Sequence, residues 1–213
     1  ESGIAYARTD EAQVPLVRRF EILADRAEAI EQRYPAAGQP NVRIALFVAP
    51  PGSAEGTAGP PPAVPIDLGP EPDIYLARVH WIDGQRLAFQ RQSRDQRRLD
   101  LVLHDLRDGS QRALVSETSR TWVNLNDDFR VLPRGESFLW ASERSGRKQL
   151  YLYRLDGTLV RQVSDNPWAI ESVLALDAAK QVVYVQAPGP DALEKQVYAQ
   201  PLDGGEPRRL SSE

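Results

Sequence analysis

Residues 101–117 read LVLHDLRDGSQRALVSE, two alternating apolar and polar runs on either side of Asp108-Gly109. Period-two alternation around an Asp-Gly pair predicts a β-hairpin, with glycine taking the positive φ of the tight turn. The same pattern returns at residues 150–165 (LYLYRLDGTLVRQVSD) and 197–212 (VYAQPLDGGEPRRLSS). The turn aspartates Asp108, Asp156 and Asp203 lie 48 and 47 residues apart. Each copy closes on an apolar residue and a serine: Val115-Ser116, Val163-Ser164 and Leu210-Ser211.

The upstream half of each unit repeats as well. Residues 81–89, 131–140 and 175–184 are each an apolar run, a turn and a second apolar run. One unit therefore holds four short strands joined by hairpins. A four-stranded antiparallel unit of about 40–50 residues is a β-propeller blade, and one such sheet cannot bury both faces alone. The predicted class is all-β, a partial propeller of about four blades. A meandering sandwich also spaces strands this way, but it gives no reason for three in-register copies. The expected units are an incomplete blade at 1–69 with an arm inserted at 10–41, then blades at 70–117, 118–165 and 166–213.

Within the first unit, residues 3–9, 42–48 and 63–68 read as strands. The insertion is ambiguous in pattern. Ile22, Leu23, Ala27 and Ile30 have helical spacing, while residues 16–23 and 28–34 also read as two extended arms turning at Ala24-Asp25-Arg26. Residues 50–62, rich in Pro, Gly, Ala and Ser, read as a mobile surface loop. The arginines Arg91, Arg94, Arg97 and Arg98 fall where the second and third strands of a blade turn, and read as a solvated hairpin tip.

Composition narrows the chemistry. The net charge of −4 gives no basic footprint for nucleic acid. No apolar run approaches the length of a membrane span. Cysteine is absent, which removes thiolate catalysis and cysteine metal sites, and no metal or cofactor is expected. The two histidines, His80 and His104, lie in strand patterns and read as packing residues. The nucleophile motif G-x-S-x-G is absent; residues 135–139 (GESFL) lack its closing glycine. Asn126, Asp127 and Asp128 form the densest polar cluster. They are able to hold a substrate amine or calcium, or simply to satisfy backbone donors at a loop. Glu143 and Arg144 read as an ion pair within a turn. The chain opens inside an apolar run and closes just after a repeat, so it reads as a segment of a longer protein.

Several segments resemble the N-terminal propeller of the dipeptidyl peptidase IV family. They are residues 6–11 with Val14-Pro15, residues 34–42 (YPAAGQPNV), Trp122-Val123-Asn124, residues 138–146 (FLWASERSG) and residues 150–153. The resemblance runs in order over nearly the whole chain. It implies a serine exopeptidase that releases dipeptides, with an eight-bladed propeller over an α/β-hydrolase domain that carries the triad. It also implies that the glutamate pair for the substrate's amino terminus lies upstream of residues 3–9, so Glu1 is not part of it. By the same resemblance, Trp122, Asn124, Asn126 and Asp127 lie near the substrate cavity. The arm, with Leu16, Phe20, Ile22, Ile30 and Tyr34, aids dimerisation, and this favours extended strands over helix. Implied partners are peptides with a free amino terminus, the hydrolase domain and a second copy of the chain. The implied location is periplasmic or exported. The alternative is a stand-alone propeller of the TolB or WD-repeat kind that binds protein or glycan and has no hydrolase domain.

Overall fold

The computed structural model describes residues 3–49, 63–125, 127–191 and 193–211. The proposed mobile loop at 50–62 and the site candidate Asn126 lie outside them. Strand β1 (Ile4–Asp10) leads into a projecting hairpin of β2 (Leu16–Ile22) and β3 (Ala27–Arg33). The chain then returns through β4 (Arg43–Ala49), which pairs with β1, and β5 (Val64–Ile66). Three four-stranded sheets follow. The first is β6 (Ile74–Trp81), β7 (Arg86–Ser93), β8 (Arg98–Asp105) and β9 (Gln111–Thr118). The second is β10 (Arg130–Val131), β11 (Ser137–Ser142), β12 (Gln149–Arg154) and β13 (Leu159–Gln162). The third is β14 (Ser172–Asp177), β15 (Val182–Pro188), β16 (Lys195–Pro201) and β17 (Arg208–Arg209). Every pairing is antiparallel and every four-stranded sheet is a simple meander. The chain is all-β, an arc of a β-propeller.

The cores lie between sheets, not within them. Along β11, Phe138 and Trp140 join the cluster shared with β8 and β9, while Leu139 and Ala141 join the cluster shared with β15 and β16. Along β7, Ala88 faces the second sheet's side, and Leu87 and Phe89 face β4 and β5. Successive side chains of a strand point to opposite faces, so a middle strand serves two neighbouring cores. That explains why β11 reads as a nearly continuous apolar run.

The repeat has a physical basis at each turn. Gly109, Gly157 and Gly204 take φ of 72°, 90° and 93°. The preceding aspartates each accept a backbone N–H two residues on, from Ser110, Thr158 and Gly205. This is the Asx turn that the Asp-Gly pair predicts. The closing serines are clasps. Ser116 Oγ donates to Asp100 at 2.7 Å, Ser164 Oγ to Gln149 at 2.7 Å and Ser211 Oγ to Gln196 at 2.5 Å. All three acceptors are buried near the start of the third strand of their sheet.

The inserted arm is extended, as the family resemblance favoured over the helical spacing. Its root is tied down. Val14 is buried, Arg33 donates to Val14 O at 2.6 Å, and Tyr34 N donates to Pro15 O at 3.0 Å. The basic hairpin tip differs from expectation at two of its four residues. Arg91 donates to Leu68 O at 2.8 Å and to the Asp100 carboxylate at 3.1 Å. Arg94 donates to Tyr75 Oη at 2.7 Å and to Pro35 O at 3.0 Å. These two arginines fasten the segment after β5 and the arm root to the β6–β9 sheet, a role invisible in a local charge pattern.

Candidate functional site

The loop after β9 runs from the last strand of one sheet to β10, the first strand of the next. It is pinned onto the turn between β7 and β8. Ser119 N donates to Arg97 O at 2.9 Å, Val123 N to Gln96 O at 2.8 Å, and Gln92 Nε2 to Val123 O at 2.9 Å. Gln96 takes a φ of 61° to present that carbonyl. Fixed in this way, the loop walls a cleft of about 510 Å³ against the turn between β11 and β12.

One wall of the cleft is a short polar chain. Trp122 Nε1 donates to Asn124 Oδ1 at 3.0 Å, and Asn124 Nδ2 donates to Glu143 Oε2 at 2.8 Å. Trp122 stays 59% exposed. The floor is a second network. Glu117 accepts from Trp140 Nε1 at 3.0 Å and from Arg144. Arg144 also donates to Tyr153 Oη and to Ser142 Oγ, and its guanidinium lies 4.5 Å from the Tyr151 ring centroid. Burial, the largest single influence, lowers the Arg144 pKa, but the bond and charge of Glu117 together with those of Tyr153 outweigh it and the net shift is upward. Tyr153 is raised by burial, with Arg144 opposing. The expected ion pair within the 143–146 turn is therefore replaced. Arg144 reaches back 27 residues to Glu117, and Glu143 is held by Asn124.

Of the expected substrate-lining residues, Trp122 and Asn124 meet in this cleft. Asp127 does not line it. Its carboxylate pairs with Arg78 on β6, and that bond holds its pKa below the usual carboxylate range. Asp128 is buried, accepts from Val173 N at 2.7 Å and pairs with Lys148 at 2.5 Å. Asp127 thus pairs with a charge of β6, and Asp128 with a charge and a backbone donor of the fold. Among the described residues no group of three or more His, Asp or Glu side chains is placed to hold a metal. His80 packs on Phe129 with ring centroids 5.1 Å apart, and burial, then Arg130, lower its pKa. His104 Nδ1 lies 3.2 Å from Gln111 Nε2, and burial lowers its pKa too. Glu117, Glu143 and Arg144 escaped sequence reasoning as parts of one cleft. The only available signal was the polar turn 143–146, and its partners come from other elements.

On the arm, the register sorts the expected dimer residues. Leu16, Phe20 and Ile22 lie opposite Arg33, Ala29 and Ala27, and share one face. Ile30 lies opposite Arg19 and belongs to the other face, with Val17 and Gln32. Tyr34 follows the end of β3 and is exposed. Phe20 is 68% and Ile22 is 85% exposed, beside an Arg18–Glu31 ion pair of 3.1 Å.

Comparison with known proteins adds lineage to this geometry. The family described as the dipeptidyl peptidase IV (DPP IV) N-terminal region matches residues 1–213. A probable dipeptidyl peptidase 4 of Aspergillus fumigatus is 25% identical over 211 residues, 92% of this chain and 27% of the relative. An inactive dipeptidyl peptidase 10 of Mus musculus is 22% identical over 187 residues, 83% of this chain and 23% of the relative. The crystal structure of Porphyromonas gingivalis dipeptidyl peptidase 4 superposes with a TM-score of 0.83 at 20% identity, covering 100% of this chain and 29% of that one. A putative dipeptidyl aminopeptidase IV from Bacteroides ovatus gives 0.79 at 20% identity, covering 97% of this chain and 31% of that one. The chain thus spans about a quarter of the length of the curated relatives it matches.

Proposed function

The chain belongs to the dipeptidyl peptidase IV N-terminal region family, and from that premise we propose that it is the non-catalytic propeller part of a serine-type dipeptidyl peptidase. The observation that supports this reading most is the family match over all 213 residues. In this reading the hydrolytic serine, histidine and aspartate reside in an α/β-hydrolase domain of the same protein. The arc of blades limits which peptides reach them, and the loop bearing Trp122, Asn124, Asn126 and Asp127 borders the path of a peptide with a free amino terminus. The arm, through Leu16, Phe20, Ile22, Ile30 and Tyr34, pairs two copies of the protein. The intact protein acts outside the cytoplasm, in the periplasm or beyond.

The direct test is hydrolysis of a Gly-Pro chromogenic amide by the full-length protein and by this chain alone. Turnover by the first and none by the second is expected. Comparable turnover by the isolated chain would overturn the reading. A second reading, a peptidase-like propeller that only binds partners, is favoured by the similarity to an inactive dipeptidyl peptidase 10. Folded full-length protein with no turnover would select it.

A further inference from the structure

We propose that the cleft beside Trp122 is a binding site for a basic side chain of a polypeptide, with Trp122 and Glu143 as its recognition pair. The inference rests on the substrate-path reading above and adds the chemistry of what the path admits. The argument begins with charge. Arg144 is turned toward Glu117, and Lys148 toward Asp128, so these charges are matched in pairs. Glu143 alone among the charged side chains of the cleft forms no ion pair among the described residues. It is exposed, and only one of its carboxylate oxygens accepts a hydrogen bond, from Asn124. The cleft therefore carries one uncompensated negative charge at its mouth.

Aromatic placement points the same way. The bond from Trp122 Nε1 to Asn124 fixes the indole edge, and the bond from Asn124 to Glu143 fixes the carboxylate relative to it. An exposed indole beside a tethered carboxylate suits a guanidinium or alkylammonium group. Its apolar stem covers the ring, its charge meets the ring face, and its N–H groups reach the free carboxylate oxygen. An anionic group meets the Glu143 carboxylate and finds Arg144 and Lys148 already paired. Preorganisation by Asn124 lowers the ordering cost of capture. The volume of about 510 Å³ is ample for one long side chain with its backbone.

Two measurements on the full-length protein test this. Isothermal titration with L-argininamide should show saturable binding that weakens with salt, and N-acetylglutamate should not bind. Trp122→Ala and Glu143→Gln should each weaken argininamide by about fivefold. Both positions are exposed, so the fold should survive either change. Absence of argininamide binding, or equal binding by both variants, would overturn the site. The second measurement compares kcat/KM for Gly-Pro-Ala-Arg and Gly-Pro-Ala-Glu. A preference for the basic peptide that Glu143→Gln removes supports the substrate side chain as occupant. Argininamide binding without that preference overturns the substrate as its source while leaving the cation site in place. No hydrolysis of either peptide overturns the peptidase reading, and the titration then decides the cation site on its own.

Discussion

Asp100 is a buried polar position where a single change should damage the arc heavily. Its side chain is 4% exposed and sits at the junction of three donors. Ser116 Oγ lies at 2.7 Å, Arg91 Nη2 at 3.1 Å and Arg98 Nε at 3.0 Å. Arg98 is 60% exposed, so its pairing adds little. Arg91 is 26% exposed and also holds Leu68 O just after β5, so it would be left with a partly buried, unmatched charge. Breaking a buried pair by removing one partner costs about 3–5 kcal/mol, and the partial exposure of Arg91 places Asp100→Ala near 3. For a domain of this size about 1 kcal/mol moves Tm by about 2–4 °C, so a drop of about 6–12 °C is expected. Ser116→Ala, which leaves both arginine bonds, should cost only about 1 kcal/mol.

The pH dependence carries an independent sign. Burial pushes the Asp100 carboxyl up, but the bonds from Ser116, Arg91 and Arg98 more than offset it, and its pKa is lowered on balance. A depressed folded pKa contributes stability above the unfolded value of about 4, and that contribution is lost as pH falls through the folded value. The gap in Tm between wild type and Asp100→Asn should therefore narrow below about pH 4 and stay constant above about pH 5. Thermal unfolding followed by far-UV circular dichroism across pH 3–7 reads both. A drop below about 3 °C for Asp100→Ala at pH 7, or a gap that widens on acidification, would refute the reasoning.

Three further outcomes follow from the geometry. Gly157→Ala should cost more than Gly109→Ala in denaturant midpoint. Both glycines have positive φ, but a Cβ at 157 meets Ala113 O at 3.2 Å and Leu114 O at 3.3 Å, while one at 109 meets nothing within 4 Å; about 2 against about 1 kcal/mol is expected. Arg94→Ala should speed amide exchange in residues 14–35 with little change in β11 and β12, because Arg94 holds the arm root through Pro35 O. If the arm pairs two copies as proposed, Phe20→Asp with Ile22→Asp should leave the full-length protein monomeric in light scattering, and Ile30→Asp should do so less, since Ile30 lies on the opposite face of the arm.

Period-two alternation and Asp-Gly turns were enough to recover the sheets, because those signals are local and each is enforced by a backbone requirement at Gly109, Gly157 and Gly204. The closing serines were legible as a repeat, but their acceptors were not: Asp100, Gln149 and Gln196 differ in type and lie 15 or 16 residues away. The arm defeated periodicity because Ala, Glu and Arg support a helix as readily as an exposed hairpin with no core to choose a face. The cleft was half legible. Trp122 and Asn124 stood out in the chain, but Glu117, Glu143 and Arg144 acquire their roles only when the sheets pack. The ion pair of Asp127 with Arg78, 49 residues upstream, had no signal in the sequence.

Because each apolar cluster is shared by two neighbouring sheets, the stable quantum of this architecture is the seam and not the blade. A deletion that removes one interior sheet destroys two seams and must create a new one between surfaces that never co-adapted. Length variation in such chains should therefore accumulate in hairpin tips such as the β2–β3 arm, where nothing is shared.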